Sequence, residues 1–200
     1  MIVVDIETSG VDPIKNSILS IGAIDFLDSK RTFYEECRTF EGAHISEESL
    51  AINGYTKEEA GDSKKQSDKE ILEHFLAWAL LSKDHTLAGQ NPSFDRDFLR
   101  YTAERYHLNW PLTHRTIDLH SICYFHMKRQ GIEPPFEKNR SALNLDAILT
   151  YLGLPEESKP HIAINGARLE AECFSRLFYE KSFFPEYKNF KIPWVSAKRA

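Results

Sequence analysis

Two acidic residues at the end of an apolar run are the first residues in the chain whose types and spacing could do chemistry. Asp5 and Glu7 follow the run from Ile2 to Val4 and precede a Ser-Gly turn, a pattern typical of a buried strand. Side chains alternate along a strand, so both carboxylates point to the same face. Adjacent carboxylates repel each other unless a cation lies between them, and such ligands suit Mg²⁺ or Mn²⁺. This segment alone leaves open whether they bind metal or are simply solvated.

Two later segments carry side chains that could complete such a site. Asp95 lies in the first turn of a helix predicted from Pro92 to about Tyr106, and His161 begins a helix predicted to reach Tyr179. In open α/β sheets, strand and helix ends meet at one edge, where sites form. Carboxylates from separate segments could hold two metal ions there, about 4 Å apart, as in in-line phosphoryl transfer. Histidine titrates near neutral pH, so it could take the proton from an attacking water.

The elements that must position these side chains follow from hydrophobic periodicity and turn signals. The opening predicts an antiparallel meander, with a second strand at 18–26 and a third at 31–40. Short helical pieces are predicted for 45–61, and a helix for 67–82 that Ser67 and Glu70 cap reciprocally. The remaining predictions are strands at 86–91 and 115–119, helices at 92–106, 119–129, 144–152 and 161–179, and a loop at 130–140. This order predicts an α/β fold, a mixed sheet of about five strands with helices on both faces.

Length and charge limit the class of protein. Two hundred residues fit one domain with a sizeable core, which we place at residues 1–180. Residues 181–200 are a basic, aromatic extension and not a separate domain; they could contact nucleic acid, although we expect their aromatic side chains to pack on the body. The net charge of −5 argues against coating nucleic acid by charge alone. It leaves room for an enzyme that grips a few nucleotides.

Cysteine usage and hydropathy bear on the compartment. The three cysteines are far apart and form no C-x-x-C pair, which favours a reducing compartment without disulfides or a zinc site. No apolar run approaches the roughly 20 residues of a membrane span, and the chain enters its first strand with no room for a signal peptide. We therefore expect a cytoplasmic protein that does not contact membranes.

Three motifs, in order, resemble those of the DEDDh 3′–5′ exonucleases of the ribonuclease H-like superfamily. They read VVDIETSG at residues 3–10, GQNPSFDRDFL at 89–99 and HIAINGA at 161–167. Two further stretches also look like the family's intervening segments: IDL at 117–119, and the stretch from LNL at 143–145 through LGL at 152–154. The resemblance covers roughly residues 1–180. The family includes the proofreading exonuclease subunit of bacterial DNA polymerase III, ribonuclease T and oligoribonuclease.

The resemblance implies a ribonuclease H-like fold, a two-metal site for Mg²⁺ or Mn²⁺, and roles for matching residues. Asp5 would bridge both metals, Glu7 would bind the catalytic metal and Asp95 would help to hold the second. His161 would be the general base. The residues implied near the 3′-terminal nucleotide are Thr8, Phe94 and Asn91.

The sequence departs from the family pattern at one metal-binding position. Five residues after His161 the family has an aspartate, and this chain has Gly166. Asn165 is a poor neutral ligand. Glu170 lies one turn further along the same helix face and could supply the missing carboxylate, or be an ordinary solvated glutamate.

The function expected from this resemblance is hydrolysis of DNA or RNA from 3′ ends, with single strands preferred, to release nucleoside monophosphates. Activity could be reduced because of Gly166. One alternative is a nucleic-acid end-binding module that kept the fold and lost most catalysis. Another is an endonuclease of the same superfamily with a different substrate path. The sequence leaves the protein partner and the choice between DNA and RNA open.

Overall fold

A mixed five-stranded sheet forms the centre of the fold in the computed structural model, which describes residues 1–197. The strands of the chain are β1 (Ile2–Thr8), β2 (Ile18–Asp25), β3 (Thr32–Glu36), β4 (Leu87–Gly89), β5 (Thr116–Asp118), β6 (Phe136–Glu137) and β7 (Arg140–Ser141). The central sheet has the order β3-β2-β1-β4-β5, and β6 and β7 form a separate small hairpin. β1, β2 and β3 pair antiparallel, whereas β1, β4 and β5 pair parallel. The predicted meander and mixed sheet are confirmed.

Eight α-helices within the described part of the chain surround this sheet. They are α1 (Glu47–Asn53), α2 (Lys57–Ala60), α3 (Asp68–Ala79), α4 (Pro92–Arg105), α5 (Leu119–Arg129), α6 (Leu145–Tyr151), α7 (Ala163–Tyr179) and α8 (Pro193–Ala197). Apolar residues of α5, α6 and α7 pack on one face of the sheet, and those of α3 and α4 pack on the other. Helices therefore cover both faces, as the alternation of strands and helices predicts.

Local signals explain where several helices begin. Ser67 and Glu70 form the predicted capping box at the start of α3. The Asp118 carboxylate accepts the backbone N–H groups of His120 and Ser121 and so caps α5. Asp118 is thus committed to the structure of the fold.

The structure corrects two features of the sequence prediction near the site. His161 does not begin the last helix: α7 starts at Ala163, and the His161 N–H donates instead to the Ile52 carbonyl of α1. The segment at 130–140, predicted as a loop, contributes the short strands β6 and β7. Two-residue strands lie below what hydrophobic periodicity can detect.

Residues 183–195 of the C-terminal segment contribute side chains that pack against the body of the protein. Phe184 and Trp194 are buried in the cluster that covers α7, in agreement with the interpretation we preferred. Lys198 and Arg199, which contribute to the predicted basic character of this segment, lie outside the described residues. None of the helices within residues 1–197 combines the length and apolar character needed to cross a membrane.

Candidate active site

The end of β1 places two carboxylates on the face of the sheet that α7 covers. Val3 on this face is fully buried, whereas Asp5 is partly exposed and Glu7 is 9% exposed. β1 pairs with β4 only at Ile2 and Val3. Beyond Val3 the two parallel strands no longer pair, so Asp5 and Glu7 lie at the carboxyl-terminal edge of the sheet. Sites in open α/β sheets form at this kind of edge.

The first turn of α4 brings Asp95 to the same edge. The Asp95 side chain is buried, and its Oδ1 accepts the backbone N–H of Ile6 at 3.1 Å. This hydrogen bond attaches α4 to the strand that carries Asp5 and Glu7. The convergence of Asp5, Glu7 and Asp95 matches the sequence expectation.

A glycine in the sheet allows α7 to approach directly beside Asp5. Gly22 pairs with Asp5 across β1 and β2. A Cβ on Gly22 would overlap the backbone of Ala163 and Ile164 at the start of α7. Only a residue without a side chain admits the helix at this distance. Gly22 therefore helps to set the position of the α7 N-terminus over the acidic end of β1.

Gly166, the departure from the family pattern, lies against the Asp5 carboxylate. A Cβ on Gly166 would overlap Asp5 Oδ2 and would stand 3.4 Å from Glu157 Oε1. In place of an aspartate side chain at 166, the carboxylates of Asp5 and Glu157 come close to the glycine. The face of α7 that carries Gly166 therefore lies directly against Asp5.

Glu170 is buried in the same region. This burial excludes the interpretation above that Glu170 is an ordinary solvated glutamate. It is 3% exposed, and its Oε1 accepts the Gln90 N–H at 2.9 Å at the end of β4. Its Oε2 has no hydrogen-bond partner among the described residues. Position 170 falls on the buried face of α7, where residues 169–176 are all buried.

His161 stands at the entrance to the site. Its side chain is about one-third exposed, and its Nδ1 lies 3.8 Å from Glu157 Oε2. With Nδ1 facing this carboxylate, Nε2 is the ring nitrogen left to accept a proton. The partly exposed ring can be reached by a molecule from outside the fold.

The carboxylates of the site raise one another's pKa. Burial, and then the charges of Glu157 and Asp95, raises the pKa of Glu7 to about 8. Burial raises the pKa of Asp95 to about 7. Burial together with Glu170 and Asp95 raises the pKa of Asp5, and burial together with Asp95 raises that of Glu170. The cluster is therefore an accumulation of negative charge with no cationic side chain to balance it among the causes of these shifts.

This donor set fits a hard divalent cation by its chemistry. All the converging groups are carboxylates, the ligands that Mg²⁺ and Mn²⁺ prefer, and Glu157 Oε1 and Glu170 Oε2 are buried without partners inside the described range. As they stand, no three Asp, Glu, His or Cys side chains within residues 1–197 form a group that could hold a metal ion. The carboxylates would have to draw together to coordinate one.

The residues implied to contact the terminal nucleotide have different surroundings. The Thr8 hydroxyl donates to the Gly10 carbonyl at 2.6 Å. Phe94 packs against Phe98, with ring centroids 4.9 Å apart. Asn91 has a left-handed backbone with φ of 57° and precedes α4. Phe94 is half-buried and Asn91 exposed, while Thr8 is mostly covered.

Two clefts flank the acidic cluster. A cleft of about 180 Å³ lies beside His161 and is lined in part by Tyr34, Tyr55 and Lys65. A wider cleft of about 550 Å³ lies beyond the end of β4, with Lys138 and Arg140 of the β6–β7 hairpin in its wall. Both clefts also contain acidic side chains, Glu36 and Glu59 in the first and Glu137 in the second.

Glu157 is the site residue that the sequence motifs do not reveal. It lies in a segment without regular structure, four residues before His161, and its side chain is only 7% exposed. No helix or strand periodicity applies there, so the sequence carries no signal that would separate Glu157 from its exposed neighbour Glu156.

Comparison with known proteins identifies relatives of this chain. Residues 2–174 match the RNase_T exonuclease family model. The chain is 28% identical over 181 residues to the PolC-type DNA polymerase III of Thermotoga maritima, and 28% identical over 178 residues to that of Thermotoga petrophila. Each alignment covers 88% of this chain and 12% of the polymerase, so the chain spans about an eighth of the length of these relatives.

Solved structures share the fold at low sequence identity. The nuclease domain of 3′hExo, a DEDDh family member bound to rAMP, superposes with a TM-score of 0.70 at 17% identity, covering 90% of this chain and 92% of that domain. Exonuclease I of E. coli in complex with a dA16 oligonucleotide gives a TM-score of 0.70 at 17% identity, covering 90% of this chain and 41% of the enzyme. These likenesses establish the mixed-sheet fold of DEDDh exonucleases.

Proposed function

Since this chain belongs to the RNase_T exonuclease family, in line with its resemblance to DEDDh 3′–5′ exonucleases, we propose that it hydrolyses nucleic acid from 3′ ends and releases nucleoside monophosphates. The observation that carries the proposal is the convergence of Asp5, Glu7 and Asp95 at the end of β1, with His161 at the entrance. The chain's three cysteines are free and buried, which supports a cytoplasmic location.

Asp5, Glu7 and Asp95 would hold Mg²⁺ or Mn²⁺ in this proposal, with Glu170 beside them as a further carboxylate. When bound, such ions stabilise charge on the phosphoryl oxygens and lower the pKa of a bound water. These carboxylates would supply the negative charge that attracts the cations. Their mutual repulsion without metal is offset once a cation is bound.

His161 would accept the proton of the attacking water at Nε2, while Glu157 faces Nδ1. The water oxygen forms the new bond to phosphorus, and the bond from phosphorus to the 3′ oxygen of the preceding nucleotide breaks. That 3′ oxygen takes a proton from solvent, which leaves a shortened strand and a nucleoside monophosphate.

The nucleotide at the 3′ end would lie between the two clefts. Phe94 offers a half-buried ring on which a base can stack. Thr8 ends β1, and Asn91 directly precedes α4, which carries Asp95. The basic side chains Lys138 and Arg140 are exposed and could attract the phosphates of a single strand.

The test is incubation with DNA and RNA oligonucleotides labelled at the 3′ or the 5′ end, in Mg²⁺, Mn²⁺ or EDTA. We expect stepwise shortening from the 3′ end, faster on single strands and absent in EDTA. Undiminished cleavage in EDTA would contradict metal dependence, and shortening from the 5′ end would contradict the 3′ assignment.

Gly166 is the observation that favours a second candidate function, a nucleic-acid end-binding module with impaired catalysis. The family acid is absent at this position, and fewer carboxylates at the metal mean weaker binding. Tight binding of 3′ ends with no cleavage in any metal would favour that function over the enzyme.

A further inference from the structure

The acidic cluster contains two carboxylates that the family motifs do not account for, Glu157 and Glu170. Glu157 comes from the segment between α6 and α7, and its Oε1 stands 3.4 Å from where a Cβ on Gly166 would lie. The glutamate therefore reaches, from a different segment, the place where the side chain of an acid at position 166 would begin.

Glu157 is buried without the partners that buried carboxylates normally have. Its side chain is 7% exposed, and Oε1 accepts no hydrogen bond from any described residue. Its other oxygen lies 3.8 Å from His161 Nδ1, too far for a hydrogen bond. A buried carboxylate that is left unsatisfied costs free energy unless something else occupies its lone pairs.

From this geometry, and resting on the proposed two-metal function, we propose that Glu157 replaces the missing family acid and is the fourth carboxylate ligand of the metal site. In this proposal, the ligand that the family carries in the first turns of α7 comes instead from the segment that precedes His161.

Glu170 fits this role less well than Glu157. Glu170 already uses Oε1 to accept the Gln90 N–H, and its Oε2 stands 3.0 Å from where a Cβ on Gly89 would lie, behind the end of β4. It is not among the atoms nearest to a Cβ on Gly166, whereas Glu157 is. The charge of Glu157 is also the first neighbouring charge that raises the pKa of Glu7, which agrees with its closeness to the pair on β1.

The proposal is tested by Mn²⁺ binding to the full chain, measured by calorimetry and by the rise in Tm with Mn²⁺ concentration. The variants are Glu157→Gln and the control Glu156→Gln, which removes the same charge from an exposed position one residue away. We expect Glu157→Gln to raise the Mn²⁺ concentration at half-saturation about tenfold or more, and Glu156→Gln to leave it unchanged.

A glutamate that only orients His161 predicts a different result. In that case Glu157→Gln would lower kcat and leave Mn²⁺ affinity as in the parent, which would overturn the proposal. The melting temperature without metal shows whether the variant is folded. We expect it to be at least that of the parent, because the substitution removes a repelling buried charge.

A compensating substitution adds a second, independent measurement. Glu157→Gln/Gly166→Asp returns a carboxylate to the family position while the glutamate charge is absent, and we expect it to recover part of the lost Mn²⁺ affinity. Gly166→Asp alone would crowd Asp5 and Glu157 and is expected to lower the metal-free Tm. A folded double variant that binds Mn²⁺ no better than Glu157→Gln would overturn the equivalence of positions 157 and 166.

The binding readout separates this proposal from the proposed function. If the parent shortens oligonucleotides and Glu157→Gln binds Mn²⁺ as the parent does, the ligand assignment fails and the exonuclease stands. If the parent cleaves nothing but binds Mn²⁺ through Glu157, the nuclease proposal fails and the ligand assignment stands. A parent that neither cleaves nor binds Mn²⁺ overturns both.

Discussion

Helix α7 carries two buried glutamates, two residues apart, in opposite surroundings. Glu172 is fully buried, and all its hydrogen-bonding capacity has partners in the fold. It accepts from Arg176 Nε at 2.7 Å and from the N–H groups of Phe183 and Phe184 at 2.7 and 3.1 Å. This carboxylate holds the start of the C-terminal segment against the helix.

Glu170 is almost as buried and has far fewer partners. It accepts one N–H, from Gln90. It lies near Asp5 and Asp95, whose negative charges repel its own. No described residue donates to its Oε2. The same helix thus contributes one carboxylate to the stability of the fold and another to a cluster that the fold leaves electrostatically unbalanced.

The comparison teaches how to separate structural acids from functional ones in this chain. Where a buried carboxylate serves the fold, a cation and several N–H groups surround it. Where the carboxylates meet at the end of β1, no described residue donates to Glu157 Oε1 or Glu170 Oε2, and a ligand from outside the chain is the natural counterpart.

The largest effect should come from removing the acid at the centre of the unbalanced cluster. We expect Asp5→Ala to lower the rate of 3′-end shortening by about 10³-fold or more, since metal stabilisation of the transition state contributes several kcal/mol. The metal-free Tm should stay the same or rise, because a repelling charge is lost. Asp28→Ala, at an exposed turn, is the control. Near-normal turnover of Asp5→Ala would rule out this site.

The two glutamates of α7 should separate stability from metal binding. Glu172→Ala leaves Arg176 buried without its counter-charge, and we expect a loss of about 3–5 kcal/mol in the free energy of unfolding. Glu170→Gln keeps an acceptor for the Gln90 N–H and removes one repelling charge. We expect it to unfold in urea at the same or a higher concentration than the parent, and to bind Mn²⁺ more weakly.

Similar behaviour of the two variants would contradict the distinction between a structural Glu172 and a functional Glu170. A Glu170→Gln protein destabilised as strongly as Glu172→Ala would show that Glu170 is a structural acid. A Glu172→Ala protein that binds Mn²⁺ more weakly while still folded would show that the two sites are coupled through α7.

The sequence predicted the parts of the site that lie on regular elements. Asp5 and Glu7 follow from period-two alternation in β1, and Asp95 follows from its place in the first turn of α4 after β4. Their convergence could be expected because strand ends of a mixed sheet meet at one edge. The burial of Glu170 was undecided, since it depends on how closely α7 packs against the sheet.

The rest of the site depends on contacts between distant segments. Gly22 admits the start of α7 beside Asp5, a close approach that no local pattern announces. His161 is held by Ile52 outside the helix, and Glu157 is placed by a segment without periodicity. Tertiary packing determines the positions of these residues. Predicting helices and strands one at a time from the sequence does not reveal that packing.

A smaller kinetic effect should distinguish His161 from the carboxylates. We expect His161→Ala to lower kcat about 10²-fold, the usual contribution of a general base, and to leave the Mn²⁺ concentration at half-saturation unchanged. The control is His74→Ala, which removes an exposed histidine of α3 that pairs with Glu35 of β3. This variant should resemble the parent. If His161→Ala instead weakens Mn²⁺ binding, the histidine belongs with the ligands.

The smallest effect is the pH dependence of metal-free stability. The groups that face the cluster are Asp5 and Glu7 on β1, Asp95 on α4, Glu170 on α7, and Glu157 before His161. Their pKa values are raised in the folded protein, those of Glu7 and Asp95 to about 8 and about 7. From about pH 4 to pH 8 the folded state therefore binds more protons than the unfolded state, and stability falls as pH rises.

We expect the metal-free Tm to be roughly 5 °C or more lower at pH 8 than at pH 5. Saturating Mg²⁺ should remove most of this difference, because cation binding favours the ionised carboxylates. Asp5→Asn should also flatten the profile, whereas Glu156→Gln, outside the cluster, should not. Calorimetric unfolding in EDTA and in Mg²⁺ measures both effects. A metal-free Tm that rises between pH 5 and pH 8 would mean that these carboxylates are balanced within the fold, as Glu172 is, and that the contrast between the two regions does not hold.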